Sequence, residues 1–191
     1  MAWDLDPNHT QVSFSAKHLG VATVRGAFER IARADIELDD PNDPTTARGT
    51  VVIDAASLHS GNEQRDGHLR AGDFLDVANF PEITFTATGI EHRGDDTYRV
   101  DGDLTIRGQT RPVSLEYEHG GVATDPYGNV RTGGTLTGTI NRSDFGLKWN
   151  VPLGNGGVLV SDRIKLEIDG QLVEQKAAEP VAAGAEAASA N

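Results

Sequence analysis

The densest group of chemically capable side chains in this sequence lies within residues 65–70. It consists of Arg65, Asp66, His68 and Arg70. On a helix, Asp66 and Arg70 would be neighbours four positions apart, and Arg65 and His68 three positions apart. One interpretation is a solvated helix face, whose surface ion pair contributes well under ~1 kcal/mol. The other places Arg65 or His68 at the mouth of a cavity, where a cation would meet a polar or anionic ligand group.

A second polar group, residues 141–147, surrounds Arg142 and Asp144. Its simplest interpretation is a turn in which these two side chains fix the bend and Gly146 takes a left-handed backbone conformation. A buried Arg142–Asp144 pair that closes one end of a barrel is the alternative. Arg142 therefore joins Arg65 and His68 as a candidate contact for the head group of a ligand.

Motifs for metal or nucleophilic chemistry are absent from the sequence. The six histidines form no HxH or HExxH pair, and there is no GxSxG elbow or P-loop. The Gly-rich stretch at residues 154–157 is not followed by Lys and Ser or Thr, so it reads as a hairpin loop. The chain has no cysteine, which excludes disulfides and thiolate ligands. We expect no catalytic residue, metal or cofactor.

Around these clusters, apolar and polar residues alternate in the way that is typical of strands with one wet and one apolar face. The closing segment RIKLEIDGQL, residues 163–172, has the clearest pattern. The predicted strands are residues 11–17, 22–28, 32–38, 49–53, 83–90, 97–106, 112–119, 131–141 and 163–173. Short turns at Gly94-Asp95-Asp96 and Arg107-Gly108-Gln109 indicate antiparallel hairpins.

One long connection breaks this pattern. Asn62 is a good N-cap for a helical segment over residues 62–70, and Asp73 would cap a second short turn. Its apolar side chains should pack over one end of the sheet as a lid, and they are Leu69, Phe74, Leu75 and Phe80.

Composition indicates one soluble domain, since 24% of the residues are charged and 37% are hydrophobic. The net charge of −12 opposes binding to nucleic acid or to an anionic membrane surface. No apolar run approaches the roughly 20 residues of a membrane span. The amino-terminal residues do not resemble a secretory signal, so a cytoplasmic location is expected. The Ala- and Glu-rich tail, residues 174–191, lacks bulky apolar residues and is expected to be disordered.

Several motifs in one order resemble the YceI-like family. They are residues 3–19 (WDLDPNHTQVSFSAKHL), Arg25-Gly26-Ala27-Phe28, residues 65–70 (RDGHLR), 73–76 (DFLD), 79–85 (NFPEITF), 102–113 (GDLTIRGQTRPV) and 141–147 (NRSDFGL). Together they cover the chain from about Trp3 to Leu172.

The resemblance implies an all-β fold, an eight-stranded antiparallel barrel that is lipocalin-like in shape and has an apolar pore. It implies a lipid-binding barrel over residues 1–173, without metal or catalysis. The ligand would be a long-chain isoprenoid, such as an isoprenoid quinone or a polyprenyl diphosphate, or a similar fatty amphiphile. Some members of the family form dimers, so a homodimer is an open expectation.

Strand parity extends this hypothesis to individual residues, because every second side chain of a strand faces the interior. The predicted pore residues are Phe14, Val24, Phe28, Ile83, Phe85, Leu104, Leu115, Leu136, Phe145 and Leu166. Small inward residues such as Gly26, Gly102 and Gly138 favour an interior with free space.

Two other hypotheses remain open at this stage. One is a barrel-scaffold enzyme, an isomerase or hydrolase of a hydrophobic substrate, with His68 or His18 as its base. The other is a packed sandwich without a ligand that serves as an interaction domain, which would show large exposed apolar patches.

Overall fold

The structure is a computed structural model that describes residues 2–154 and 156–175. The predicted disordered tail, residues 174–191, lies outside the described residues from residue 176 onward. Glu174 still belongs to the last strand, so the folded part extends one residue beyond the predicted boundary.

Eleven strands and one α-helix form the described chain. The strands are β1 (Ala2–Leu5), β2 (Gln11–His18), β3 (Ala22–Phe28), β4 (Ile31–Glu37), β5 (Arg48–Asp54), β6 (Leu58–His59), β7 (Glu82–Gly94), β8 (Thr97–Ile106), β9 (Gln109–Thr124), β10 (Val130–Asn141) and β11 (Arg163–Glu174), with helix α1 (Glu63–Arg70) between β6 and β7. The sequence predicted nine of these strands and missed the two shortest, β1 and β6.

These strands close into one antiparallel barrel with eight strand positions. The order around it is β1, β4, β5, β7, β8, β9, β10 and β11, and β11 pairs back onto β1. β2 follows β1 after a short 3-10 turn at Pro7–His9 and continues the same position, where it pairs with β11 and β3. The predicted all-β, eight-stranded antiparallel barrel is confirmed.

The tight turns that join consecutive strands were predicted correctly. Arg107 and Gly108 both have positive φ angles, 49° and 69°, between β8 and β9. This is the geometry of a type I′ turn, whose twist matches that of the flanking strands. Asp95 at the β7–β8 turn likewise has a φ of 46°. Short turns of this kind keep sequence neighbours adjacent around the barrel.

Part of the interior is densely packed, near the connection between β6 and β7. A cluster of buried apolar side chains there includes Leu58, Phe74, Leu104 and Phe145. Inward side chains nearer the middle, such as Leu136 and Ile168, are only half-buried although they point away from solvent. Because a filled core would bury them fully, the barrel encloses free space, and the packed-sandwich hypothesis is wrong.

The connection after β6 forms the predicted lid in part. Asn62 caps α1 by accepting a hydrogen bond from the backbone N–H of Arg65 at 2.9 Å. Residues 71–79 form hydrogen-bonded turns rather than a second helix. Phe74 and Leu75 are buried, and Leu69 packs against the same cluster. Phe80 is an exception, since its ring lies over Gly108 in the β8–β9 turn.

A network of charges fastens the start of the chain to β10, two strand positions away around the barrel. Arg131 on β10 donates to Asp6 at 2.7 Å and to Asp125 at 2.9 Å. Hydrogen bonds from Arg131 and His9 lower the pKa of Asp6 from 3.8 to about 2. Hydrogen bonds from Asn129 and Arg131 also lower the pKa of Asp125. The network therefore stabilises the fold only while both carboxylates are ionised.

We predict that Arg131→Met destabilises the protein at neutral pH and that this effect fades in acid. A carboxylate with a lowered folded pKa contributes stability above its unfolded pKa, and that contribution is lost as pH falls through the folded value. For Asp6 the window runs from 3.8 down to about 2. Urea unfolding of both proteins, followed by tryptophan fluorescence at a series of pH values, measures the difference.

Arg111→Met is the matched control, because Arg111 is exposed and bonds only to its neighbours Thr110 and Gln109 among the described residues. Its effect should be small and independent of pH. A difference between wild type and Arg131→Met that stays constant from neutral pH into this window would contradict the prediction.

Candidate ligand-binding cavity

The barrel encloses a cavity of about 940 Å³ beneath α1, which we call the proximal chamber. All ten predicted pore residues lie in its wall, and so do the three predicted head-group contacts, Arg65, His68 and Arg142. The exposed side chains of Lys17, Asn62 and Gln64 also belong to the wall and mark its opening. The structure thus brings the predicted residues together around one space, while their contact with a ligand stays a prediction.

Glycines beside large side chains keep this space open. A Cβ on Gly26 would lie 2.4 Å from Cζ of Phe14, and one on Gly138 would lie 2.4 Å from a methyl carbon of Leu115. Real Cβ atoms essentially never come within 3.0 Å of another heavy atom. Phe14 and Leu115 can lie flat along the wall only because the neighbouring glycines have no side chain. The apolar layer that lines the cavity is therefore thin.

An aromatic group stands at the opening of the proximal chamber. The rings of His68 and Trp149 meet edge to face with centroids 4.7 Å apart, and the Phe74 ring lies 5.3 Å from that of Trp149. His68 Nε2 is 2.9 Å from a carboxylate oxygen of Asp73. This contact fixes the orientation of the imidazole, which presents a polar edge within an otherwise aromatic rim.

Arg142 places a buried positive charge in the same wall. Arg142 is only 6% exposed. Its guanidinium donates to the backbone carbonyls of Ser161, Leu147 and Val160 at 3.0, 2.6 and 3.5 Å. Burial lowers its pKa from 12.5, against the opposing charge of Asp162, but a guanidinium stays protonated in proteins. The turn interpretation is confirmed, with Gly146 at a φ of 78°, and the alternative of a buried Arg142–Asp144 pair is wrong, because carbonyls hold Arg142 and Asp144 is exposed.

A guanidinium carries five N–H donors. Among the described residues, the three carbonyl contacts account for three of them, which leaves two for a ligand. The guanidinium also lies 5.8 Å from the centre of the Phe74 ring. Arg142 therefore holds the backbone at residues 147, 160 and 161 and belongs to the cavity wall.

The solvated-face interpretation of α1 is wrong at Asp66, which is completely buried. Its carboxylate accepts hydrogen bonds from the N–H and hydroxyl of Ser60. Burial raises the pKa of Asp66, but these bonds and the charges of His59 and Arg70 outweigh burial, and the pKa is lowered. Arg65 also bonds to Ser60, through Nε and Nη2, both at 2.7 Å. These contacts fasten α1 over the opening.

The sequence analysis missed the part of the wall that residues 146–160 supply. Its described residues supply Leu147, Trp149, Leu159 and Val160 to the wall, and the backbone N–H of Leu19 donates to Leu159 O at 2.8 Å. The wall residues of this segment do not alternate along the sequence, since Leu159 and Val160 are consecutive, so they could not be predicted from the pattern of a strand. His18 also lies in the wall. It is four residues after Phe14 on β2, so both side chains are on the same face of the strand, and this spacing could have predicted that His18 faces inward.

Two kinds of feature, a metal-binding group and a membrane-spanning helix, are not found within residues 2–154 and 156–175. No three side chains of His, Asp or Glu are grouped there as a metal site would need. In that same part of the chain, no helix combines the length and the apolar character required to span a bilayer.

Comparison with curated proteins relates the chain to bacterial proteins named UPF0312. A UPF0312 protein of Staphylococcus aureus strain MSSA476 is 37% identical over 164 residues, which is 85% of this chain and 91% of the relative. One from Staphylococcus epidermidis strain RP62A is 36% identical over 167 residues, 86% of this chain and 93% of the relative.

Solved structures share the barrel. A Campylobacter jejuni YCEI protein has a TM-score of 0.71 and 32% identity, over 84% of this chain and 90% of that one. Burkholderia cenocepacia BcnA has a TM-score of 0.69 and 25% identity, over 88% and 99%. A domain from Saccharophagus degradans, described as polyisoprenoid binding, has the same fold with a TM-score of 0.64 and 13% identity, over 91% and 98%.

The family model described as the YceI-like domain matches residues 3–172, which is nearly the whole barrel. With this match and relatives more than 30% identical along most of their length, the chain belongs to the YceI-like family.

Proposed function

We propose that this protein binds a long-chain isoprenoid or a similar amphiphile in the proximal chamber and carries it without chemical change. The observation that supports this most directly is the cavity of about 940 Å³ walled by Val, Ile, Leu and Phe. At ~30 Å³ for each heavy atom, the space a small group takes in a liquid, it holds about 30 heavy atoms. A flexible hydrocarbon chain suits such a volume.

The driving force for this binding is the removal of apolar surface from water. Each Å² of chain surface that is buried contributes roughly 25 cal/mol, and no directional contact is needed along the chain. The polyisoprenoid binding ascribed to the Saccharophagus domain agrees with the proposal, although its low identity relates only the folds. The proposal rests on the cavity itself.

The head group would remain at the opening, near Arg142, His68 and Arg65. Arg142 is the strongest of these candidates, because Arg65 already donates to Ser60 through two nitrogens. A charge-assisted hydrogen bond from a buried guanidinium favours an anionic or strongly accepting group. Isoprenoid quinones and polyprenyl diphosphates both meet this description, and a diphosphate would gain more.

Catalysis on a hydrophobic substrate is the alternative, and one observation favours it. His68 lies in the wall with Nε2 held 2.9 Å from Asp73, an arrangement that a general base uses. Turnover of the bound lipid with a bell-shaped pH profile, abolished in His68→Ala while lipid binding persists, would establish this alternative in place of a carrier.

Two further expectations accompany the proposal. A cytoplasmic location and a homodimer both remain predictions. Cell fractionation checks the first, and sedimentation of the purified protein with and without lipid checks the second.

We predict that Leu166→Glu abolishes lipid uptake. Leu166 lies in the cavity wall, and filling the chamber with hydrocarbon would strip water from the new carboxylate at a cost of several kcal/mol. Occupancy by geranylgeraniol, presented in phosphatidylcholine vesicles and measured by native mass spectrometry, should fall by about tenfold or more.

Thr139→Glu is the matched control. Thr139 is on β10, faces outward and pairs with Lys165, next to Leu166 on β11. Its occupancy should equal that of the wild type. Unchanged uptake by a folded Leu166→Glu protein, with folding checked by circular dichroism, would overturn the proposed binding site.

We also predict that Arg142→Gln weakens binding of farnesyl diphosphate much more than binding of farnesol. Hydrogen bonds to charged groups contribute about 1.5–3 kcal/mol, so the diphosphate should lose roughly 10- to 100-fold in affinity. The ratio of the two affinities separates head-group recognition from damage to the cavity, which would affect both ligands. Equal losses would remove Arg142 from the head-group site.

A salt titration of the wild type gives an independent check if the variant folds poorly. Affinity for farnesyl diphosphate should decline with salt while that for farnesol stays level, because salt screens a charged contact and not an apolar one. Parallel behaviour of the two ligands would contradict a cationic head-group site.

A further inference from the structure

A second, smaller space adjoins the proximal chamber deeper in the barrel. This distal chamber has a volume of about 220 Å³. The walls of the two chambers share five apolar side chains, each from a different strand, and we call this ring the waist: Val12, Val51, Phe85, Leu136 and Ile168. A ring drawn from β2, β5, β7, β10 and β11 encircles much of the barrel and separates the two spaces.

The distal chamber is suited to hydrocarbon and not to a charged head group. Burial, with a smaller effect of Tyr98, raises the pKa of Tyr117 to about 12, so its hydroxyl is neutral. That hydroxyl is 3.3 Å from Nδ1 of His119. Arg48 touches the chamber, but its guanidinium is half exposed and pairs with Glu37 and Asp39 on the outside. Arg48 is the only Lys or Arg of the described wall, so the chamber offers no unpaired ammonium or guanidinium group to a charged head group.

Phe85 is the largest side chain of the waist, and one glycine determines where its ring lies. A Cβ on Gly102 of the adjacent strand β8 would be 2.3 Å from Cζ and 2.5 Å from Cε2 of Phe85. The ring therefore occupies the place that any other residue at position 102 would need for its side chain. With Gly102 present, the ring lies along the wall and the waist has its full width.

We infer that the waist measures the length of the bound chain, with Phe85 as its specificity-determining residue and Gly102 as the residue that positions it. This inference rests on the proposed function. With the head group at the opening, chains of up to about 30 heavy atoms fill the proximal chamber. A longer chain passes Phe85 and places about seven more atoms in the distal chamber, at the same ~30 Å³ for each atom.

Two prenyl alcohols test this inference. Geranylgeraniol fits within the proximal chamber, whereas heptaprenol, with its longer chain, exceeds that chamber and needs both. The protein is equilibrated with equimolar amounts of the two in the same phosphatidylcholine vesicles, and native mass spectrometry gives the ratio of the two bound forms. Competition within one sample cancels differences in the fraction of folded protein.

Phe85→Trp should lower the ratio of heptaprenol to geranylgeraniol by about tenfold or more, because each methylene left in water weakens binding severalfold. Phe85→Ala widens the waist and should raise the ratio above that of the wild type. The two variants must move the ratio in opposite directions, an outcome that general destabilisation would not produce.

Gly102→Ala should act like Phe85→Trp, since it pushes the Phe85 ring off the wall, and Phe85→Leu in the same chain should restore part of the ratio. Gly89→Ala is the matched control, because Gly89 is also a strand glycine but has open space where a Cβ would lie. Its ratio should equal that of the wild type.

The outcomes separate this inference from the function on which it rests. If the wild type takes up neither alcohol, the proposed function fails. If it binds both and the ratio is the same in Phe85→Trp, Phe85→Ala and wild type, the waist does not measure length and the inference is overturned.

Discussion

Closure of the barrel depends on the short strand β1, which is hydrogen bonded on both sides. Trp3 pairs with Glu174 of β11 and with Ile36 of β4, and its indole N–H donates to Leu38 O at 3.0 Å. The residue is only 2% exposed. Without this strand, the end of β4 and the last residues of β11 would be unpaired on one side, and the barrel would be open to water between them. The four residues of β1 therefore complete the ring around the chamber.

A closed barrel that keeps free space inside gives up some of the packing contacts that stabilise a fold. Protein interiors are normally filled, and an unfilled apolar volume forfeits contacts that would stabilise the fold. This barrel packs one cluster densely, around Phe145 and Leu58, and leaves free space beside it. Glycines at Gly26, Gly102 and Gly138 hold neighbouring large side chains against the wall. The surface left uncovered in this way is what a hydrocarbon ligand would cover.

Hydrogen bonds within the protein hold several polar side chains near the opening in fixed orientations. Backbone carbonyls hold the Arg142 guanidinium, Asp73 orients His68, and Ser60 joins Asp66 and Arg65 into one support for α1. A buried guanidinium held by neutral carbonyls keeps its full charge, whereas a carboxylate partner would cancel much of it. This arrangement suits recognition of an acceptor at the mouth of an apolar chamber, and it separates the charged end of the cavity from the neutral distal end.

Strand alternation in the sequence determined the fold class and most of the inward face, because a period of two leaves each strand only one way to bury its apolar side chains. Residues such as Phe14, Leu115 and Leu166 could be assigned to the wall for that reason. The N-cap at Asn62 and the turn at Arg107 and Gly108 were also readable, since both depend on neighbouring residues alone.

Only the tertiary structure decided the features that depend on partners distant in sequence. The four residues of β1 are too few to show the alternation that predicts a strand. They pair with β4 and with β11, which lies near the other end of the chain. Trp149 and Leu159 reach the opening on an irregular segment that has no periodic face. Asp66 lies in a mostly polar helix of the kind that is usually exposed to solvent. It is buried because Ser60 folds back onto it. The waist likewise joins side chains from five strands, and no local pattern encodes how closely they approach.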